Sequence, residues 1–393
     1  MTDASAAGTR RPAAGSGVDR SVLAVWVASR VGVGVASAAA IWMVIGDRAG
    51  NLPSWVASWD RWDVGLFVKV AKFGYLGRPE HYSDRGIVAF FPGEPLLLRA
   101  VHAVIGDWIV AGLLISAVAG AVACVALARL GDLEWDASTG SRAALYLVLS
   151  PFAVFLAAGY SEALFLALAL PAWLAARRGR WWWAGGLTAL AGTVRITAVF
   201  LAVALVVQWL VDPLGARPDG SSAAARRRPV HVLALLSAFA GTAAYFGYLR
   251  AITGDWLAWA HAQRAVWDRS LTAPWTALHA TWSGATDPTQ GAAYAWSFRA
   301  EIVAIAVGVL LCLVLLALRR WAEVVYVGGQ VVALGTSSYF LSVARASLLW
   351  WPLWLLLARA GVRHRWVHLT YVAVAPALMA VGVVTFVSGH WVG

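Results

Sequence analysis

WWAGGLTALAGTVRITAVFLAVALVVQWLV, residues 182–211, is an apolar run broken by the step Gly192-Thr193-Val194-Arg195. Arginines flank it on both sides: Arg177, Arg178 and Arg180 before it, Arg226, Arg227 and Arg228 after it. Basic residues beside apolar spans stay on the cytoplasmic side of a membrane. A segment with both ends on that side must enter the bilayer and return. The run is therefore expected as two short helices with a break near Gly192 to Arg195, and Arg195 reaches toward the opposite face from within the membrane.

The same pattern of apolar runs and basic clusters extends in both directions. With 61% hydrophobic residues, 13% charged residues and a mean hydropathy of +0.69, the chain is too apolar for a soluble domain. It reads as an all-α polytopic membrane protein. Further runs lie at residues 21–46, 108–130, 143–158, 161–176, 230–251, 301–318, 322–340, 346–360 and 366–388. Together they give about eleven transmembrane or half-membrane helices at ~17–25 residues per span. The clusters around Arg319–Arg320 and Arg363–Arg365 are expected in the cytoplasm with those named above. The formal net charge of +11 is thus an orientation signal, and no nucleic-acid partner is expected. Cys124 and Cys312 sit inside apolar runs, which leaves neither a disulfide framework nor a thiolate metal site.

Residues 1–20 read as a disordered cytoplasmic tail and residues 21–393 as a single integral-membrane domain. Within that domain, residues 47–107 form a first external loop and residues 253–300 a second. Arg30 lies in the body of the first span, where an arginine costs at least ~2.5 kcal/mol. It is expected either to meet an anion in the bundle or to snorkel. The second loop mixes aromatics and cations (Trp256, Trp259, His261, Arg264, Trp267 and Arg269), which fits an interfacial aromatic belt or contact with a sugar or lipid headgroup. The excess of arginine over lysine and the abundance of Ala, Gly, Val and Trp resemble proteins of GC-rich bacteria, so a bacterial cell membrane is the expected location. No internal repeat, P-loop, HExxH or GxSxG pattern is present.

Chemistry concentrates in residues 58–99, SWDRWDVGLFVKVAKFGYLGRPEHYSDRGIVAFFPGEPLLLR. Helical spacing puts Asp63, Leu66, Phe67, Val70 and Ala71 on one stripe, with Lys69 and Lys72 opposite. An interfacial helix of this kind turns its lysines to headgroups and points Asp63 inward. Asp60 is expected to cap the helix, and Asp63 to sit in its first turn. Pro92 and Gly93 are expected to start a second short helix with Glu94 and Arg99 as polar insertions. The external face then collects Asp60, Asp63, His81, Asp84, Arg85, Glu94, Tyr160, Glu162 and the turn from Tyr339 to Arg345.

Asp63 beside the intramembrane arginines Arg30, Arg195 and Arg345 makes one candidate base with several phosphate partners, since arginine binds phosphate bidentately and keeps its charge. A lipid-linked sugar phosphate fits such a site. Its tail lies in the bilayer, its phosphodiester meets arginine, and its sugar carbon faces the carboxylate. A single displacement follows: the carboxylate takes the acceptor hydroxyl's proton while arginines stabilise the leaving lipid phosphate. No metal or other cofactor is required by this scheme.

The segments at 62–75 (WDVGLFVKVAKFGY), 90–99 (FFPGEPLLLR), 150–165 (SPFAVFLAAGYSEALF) and 337–358 (SSYFLSVARASLLWWPLWLLLA) resemble the PIG-V mannosyltransferase family. That resemblance implies a multi-pass glycosyltransferase of the GT-C type. It further implies a polyprenyl or dolichyl phosphomannose donor, a lipid or glycolipid acceptor, and inverting transfer at the non-cytoplasmic face. Asp63 matches the family's acidic residue after the tryptophan and is the expected base. Glu162 in GYSEALF also matches, as a substrate contact or a helix-dipole partner. Eukaryotic members often carry histidine where this chain has Leu66, and Asp60 lies just before the motif. Arg30, Glu94, Arg99, Tyr160, Glu162, Arg195, Tyr339 and Arg345 form the expected substrate shell around the catalytic acids, Asp63 as base and Asp60 as its supporting residue. The alternatives are a secondary transporter of an anionic substrate, which should show paired, repeat-related broken helices, and a noncatalytic partner of another membrane glycosyltransferase. Need for a partner subunit is left open.

Overall fold

The computed structural model describes residues 15–45, 54–76, 86–211, 228–289 and 291–392. The expected tail, apart from residues 15–20, and His81, Asp84, Arg85, Arg226 and Arg227 lie outside the described residues. Helix α1 (Gly15–Ala40) passes into a π turn over Ile41–Ile45. Helix α2 (Asp63–Phe73) buries Val64, Phe67, Val70 and Ala71 and leaves Lys69 and Lys72 exposed, so the expected stripe is present with Leu66 half-buried. Helix α3 (Gly93–Ile105) starts directly after Pro92, as its missing N–H favours. Helix α4 (Trp108–Glu134) is capped by the Asp107 carboxylate, which accepts from Ile109 and Val110 N–H at 2.8 and 2.9 Å.

Helix α5 (Ala137–Val148) is shorter than its apolar run, because Pro151 disfavours helical backbone just before it and the chain turns through a 3₁₀ segment at Ala153–Leu156. Helix α6 (Ser161–Arg177) is the central element. Ala163, Phe165, Leu166, Ala169, Leu170 and Trp173 have no exposed surface. In a bilayer such burial stabilises through close packing, since lipid tails are as apolar as leucine.

The expected break in residues 182–211 separates α7 (Trp181–Gly192) from α8 (Ala198–Val211). A break inside a membrane requires its exposed backbone groups to be satisfied by protein. Here Thr193 O accepts from Gly93 N–H at 2.7 Å, which joins the break to the start of α3. The expected span at 230–251 is a pair, α9 (His231–Ser237) and α10 (Ala240–Thr253), bent by 42°. Gly241 lets α10 lie against the Ala189 carbonyl of α7, where a Cβ would collide with backbone.

Residues 253–300 are more ordered than a loop. They hold α11 (Ala258–Trp267), α12 (Pro274–Thr286) and the first turns of α13 (Ala292–Ala317). An isolated antiparallel bridge ties Leu271 to Ser337, beyond α14 (Trp321–Gly335). The run at 346–360 is divided by Pro352 into α15 (Val343–Ala346), a 3₁₀ turn and α16 (Trp351–Arg363). Helix α17 (Arg365–Val387) follows.

Four of these elements are long and apolar enough to cross a membrane: Asp19–Met43, Trp108–Glu134, Tyr294–Ala317 and Arg365–Val387. The bent α9–α10 pair passes the same test as one unit, and α8 and α14 are shorter apolar helices. The protein is an all-α polytopic membrane protein. One expectation is corrected. Asp60 does not cap α2: the capping position is Trp62, no side chain bonds the first amides, and Asp60 is exposed. The backbone reverses sharply at Trp62, between Asp60 and the helix, and the Asp60 carboxylate comes to lie beside Gly65 of the first turn.

Candidate active site

Three chain breaks converge at one end of the central helix. The turn before α2 carries Asp63, the break between α7 and α8 carries Arg195, and the short α15 carries Arg345. Glu162, in the first turn of α6, is the carboxylate around which they assemble. Its Oε1 accepts from Arg195 Nη1 at 2.7 Å and lies 2.9 Å from Arg345 Nε, and the side chain has no exposed surface. Arg345 Nη1 donates to Asp63 Oδ2 at 2.7 Å, and Arg195 Nη1 also donates to Ser161 Oγ at 2.7 Å. Two carboxylates and two guanidinium groups thus alternate as Asp63–Arg345–Glu162–Arg195. Buried charges persist only when each has partners.

Asp63 and Arg345 sit at the rim of this chain, with 16% and 11% of their side chains exposed. An arginine offers five N–H donors. Among the described residues Arg345 Nη2 has no hydrogen-bond partner. The guanidinium rests on Tyr160 and Phe155, 5.2 and 5.4 Å from their ring centres, with Trp391 at 5.8 Å. Arg345 is therefore held in plane by aromatics and carboxylates while keeping a donor edge for an anion.

Two backbone devices orient the Asp63–Arg345 pair. Trp62, directly before Asp63, has φ 52° and ψ −116°. Ser342, directly before α15, has φ 64°. Non-glycine residues at positive φ cost ~1–3 kcal/mol and persist only where surrounding structure imposes them. At Ser342 the imposing group is Glu301 of α13, whose carboxylate accepts from the amides of Ser342, Val343 and Ala344 at 2.7, 2.6 and 3.0 Å. Arg269 Nη2 ties the same turn by donating to Leu341 O at 2.9 Å. Burial, with the neighbouring Arg345 charge, brings Arg269 down to about 10.

Of the expected site residues, the structure brings together Asp63, Tyr160, Glu162, Arg195 and Arg345. Glu94 joins them from the first turn of α3. The residue is 1% exposed, and among the described residues neither carboxyl oxygen has a partner. Desolvation, then the nearby Glu162 charge, pushes it up to about 8, so it stands neutral at pH 7. The remaining residues lie elsewhere. Arg99 Nε donates to Ala71 O at 2.6 Å, a strut between α3 and α2. The Tyr339 hydroxyl donates to Trp267 O at 3.3 Å. Arg30 stacks on Trp26 at 4.2 Å on the α1–α4 contact, and among the described residues its two terminal nitrogens have no partner. Asp60 is exposed.

Glu301 and Trp391 escaped the sequence reading, since both act on Arg345 across the fold. An acid inside the long span α13 was the one available signal, because intramembrane acids are costly. A cavity of about 220 Å³ lies at the opposite end of α6, lined by Glu134, Arg177, Arg320 and Glu323 among others. Arg320 closes it by pairing with Glu134 at 2.8 Å and with Glu323. Among the described residues no group of acids, histidines or cysteines is placed to hold a metal ion.

Residues 52–212 match the family described as mannosyltransferase (PIG-V), and over that region the chain is PIG-V-like. That segment contains Asp63, Glu94, Tyr160, Glu162 and Arg195. The GPI alpha-1,6-mannosyltransferase 2 of Rattus norvegicus is 41% identical over 146 residues, and that of Homo sapiens 41% identical over 148 residues. Each match covers 34% of this chain and 28% of the relative. Among solved structures, an oligosaccharyltransferase of Archaeoglobus fulgidus aligns over 95% of this chain and 56% of its own, at a TM-score of 0.47 and 12% identity. That likeness is too distant to carry an argument.

Proposed function

We propose that this chain is a membrane mannosyltransferase that moves mannose from a polyprenyl-phosphate donor to a hydroxyl of a lipid or glycolipid at the non-cytoplasmic face. The observation that carries the reading is the Asp63–Arg345 contact, at 2.7 Å and at the rim of the buried charge chain. It sets a carboxylate of the matched segment, residues 52–212, beside an arginine from outside it, so that a proton acceptor adjoins a group suited to phosphate. The positive-inside rule supports the facing. Helix α6 runs from Glu162 to Arg177, about 1.5 Å per residue, so the site and the basic cluster after α6 lie at opposite ends of the bundle.

In this mechanism the acceptor oxygen attacks the anomeric carbon on the face opposite the phosphate. Its proton passes to Asp63, and the bond from the anomeric carbon to the phosphate oxygen breaks. The phosphodiester donor carries one negative charge and the departing lipid phosphate gains a second. Arg345, with Arg195 behind it through Glu162, therefore interacts more strongly with the transition state than with the bound donor, which is what lowers a barrier. Asp63 is the base because it is the partly exposed carboxylate of the chain, whereas Glu162 is sealed and its Oε1 is shared by two arginines.

The test is incubation of the purified full chain with labelled polyprenyl phosphomannose and a membrane lipid extract, followed by identification of the labelled product. A labelled glycolipid formed by wild type and absent with Asp63→Asn is expected. Label that stays on the donor, or that moves equally well without Asp63, overturns the reading.

A further inference from the structure

The transfer mechanism uses one end of α6. At the other end, the cavity of about 220 Å³ is lined by three arginines, Arg177, Arg319 and Arg320, against two acids, Glu134 and Glu323. Arg320 serves both acids, pairing with Glu134 at 2.8 Å and donating to Glu323 through Nε and Nη2. Arg177 is half-buried and comes only within 3.6 Å of an acid, from Nε to Glu134 Oε1, and neither atom has a hydrogen bond among the described residues. Arg319 is exposed and has no partner among the described residues. Gln208 of α8 lines the same cavity, is 3% exposed and has no hydrogen bond among the described residues. With both acids matched by Arg320, the groups left over are donors: two guanidinium groups and a buried amide.

The turn that carries Arg319 has a counterpart in the same molecule. Between α6 and α7, Gly179 N–H donates to Ala176 O at 2.9 Å and Arg180 N–H to Ala175 O at 2.8 Å. Between α13 and α14, Arg319 N–H donates to Leu316 O and Arg320 N–H to Leu315 O, both at 2.9 Å. The left-handed position is Gly179, at φ 74°, in the first turn and Arg319, at φ 56°, in the second. Glycine takes that position without strain, and arginine does not. The fold therefore bears a backbone cost at the one of these two turns where the left-handed residue lines the cavity.

We propose that this cavity binds the phosphate of an anionic phospholipid from the leaflet at that end of the bundle. Arg177 and Arg319 take the phosphate oxygens, and the Gln208 amide donates from the floor. Depth favours a lipid over a soluble phosphate. The apolar spans Trp108–Glu134 and Tyr294–Ala317 both end at the cavity, which sets it at the level of headgroups. Trp135 and Trp321 line it as tryptophans do at a membrane interface. Leu210, Val211 and Leu318 beside it are exposed, a surface for acyl chains that a soluble anion would leave unused. Binding there is independent of the transfer reaction.

Native mass spectrometry of the purified full chain, titrated in detergent with dioleoyl phosphatidylglycerol, measures binding, and thermal unfolding without added lipid reads stability. Wild type is expected to prefer phosphatidylglycerol to dioleoyl phosphatidylcholine, whose trimethylammonium would sit among arginines. Arg319→Gly and Arg177→Met should each weaken phosphatidylglycerol binding about tenfold, as loss of one charge-assisted hydrogen bond requires. Arg365→Gln, at the start of α17 and outside the cavity, should bind as wild type does. Arg319→Gly is decisive because glycine relieves the strain of this turn, so its lipid-free melting temperature should hold or rise while binding falls. Equal binding of the two lipids by wild type, or undiminished phosphatidylglycerol binding by Arg319→Gly, overturns the site. An equal loss in Arg365→Gln also overturns it, since diffuse charge attraction would then explain the binding. Full displacement of the lipid by an equal concentration of inorganic phosphate overturns the lipid as occupant and assigns the cavity to a soluble phosphate.

Discussion

Replacing Asp63 by Asn separates catalysis from stability, and the geometry sets both magnitudes. Asparagine keeps the shape of the side chain and can still accept from Arg345, while Arg345 retains Glu162 at 2.9 Å. The loss is therefore one charge-assisted hydrogen bond, ~1.5–3 kcal/mol. The proton acceptor is lost outright, which for a general base costs ~10²–10⁴ in rate. Glu162→Gln behaves in the opposite order. Its single Oε1 serves both Arg195 and Arg345 in a fully buried setting, and breaking a buried ion pair costs ~3–5 kcal/mol. Thermal unfolding of the detergent-purified chain, paired with single-turnover transfer from labelled polyprenyl phosphomannose, reads the two effects separately. Asp63→Asn should unfold moderately below wild type and transfer little; Glu162→Gln should unfold further below it. If Asp63→Asn transfers at the wild-type rate, or destabilises more than Glu162→Gln, the assignment of roles to these carboxylates is wrong.

The Glu94 carboxyl, pushed up from 4.5 to about 8, is favoured by folding in its neutral form. Its contribution is complete below pH ~4.5, declines as pH rises and levels off above about 8, an upper figure of ~5 kcal/mol at ~1.36 kcal/mol for each step of one in pH. Glu94→Gln should flatten that decline, and parallel unfolding-versus-pH curves for variant and wild type would refute the account. Glu301→Ala strips three amides of Ser342, Val343 and Ala344 of their acceptor. At ~1–3 kcal/mol for each unsatisfied group, it should lower both the melting temperature and turnover, with Glu301→Gln intermediate; unchanged turnover in a folded Glu301→Ala would show that α15 holds Arg345 without it. Arg30→Met removes a guanidinium whose terminal nitrogens have no partner, so stability should hold or rise and donor KM should stay the same. A raised donor KM would return Arg30 to the phosphate site.

What the sequence disclosed depended on how local the governing physics was. The break between α7 and α8 was legible because basic clusters flank one apolar run on both ends and a glycine and an arginine interrupt it. The inward stripe of α2 was legible because helical spacing is local. Asp60 is not a cap, because the reversal falls at Trp62, and a strained Trp62 cannot be inferred from residue type. Arg30 drew an anionic partner from its cost in the bilayer, but an indole face supplied part of that need. Glu301 and Trp391 reach the site from 44 and 46 residues on either side of Arg345, and no spacing rule connects them to it.

Helix α13 is at once a lipid-facing span and the arm that holds Arg345. Val303, Val309, Leu310 and Leu313 face outward from it, while Glu301 grips the three amides that begin α15. A span answers a bilayer thicker or thinner than its apolar length by tilting. Tilt of α13 would swing Glu301 and, through α15, shift Arg345 against Asp63. Acyl-chain length then acts as a mechanical input to the alignment of the site, and turnover compared in reconstituted bilayers of graded thickness would expose it, with a flat response showing that the joint between Glu301 and α15 absorbs the motion.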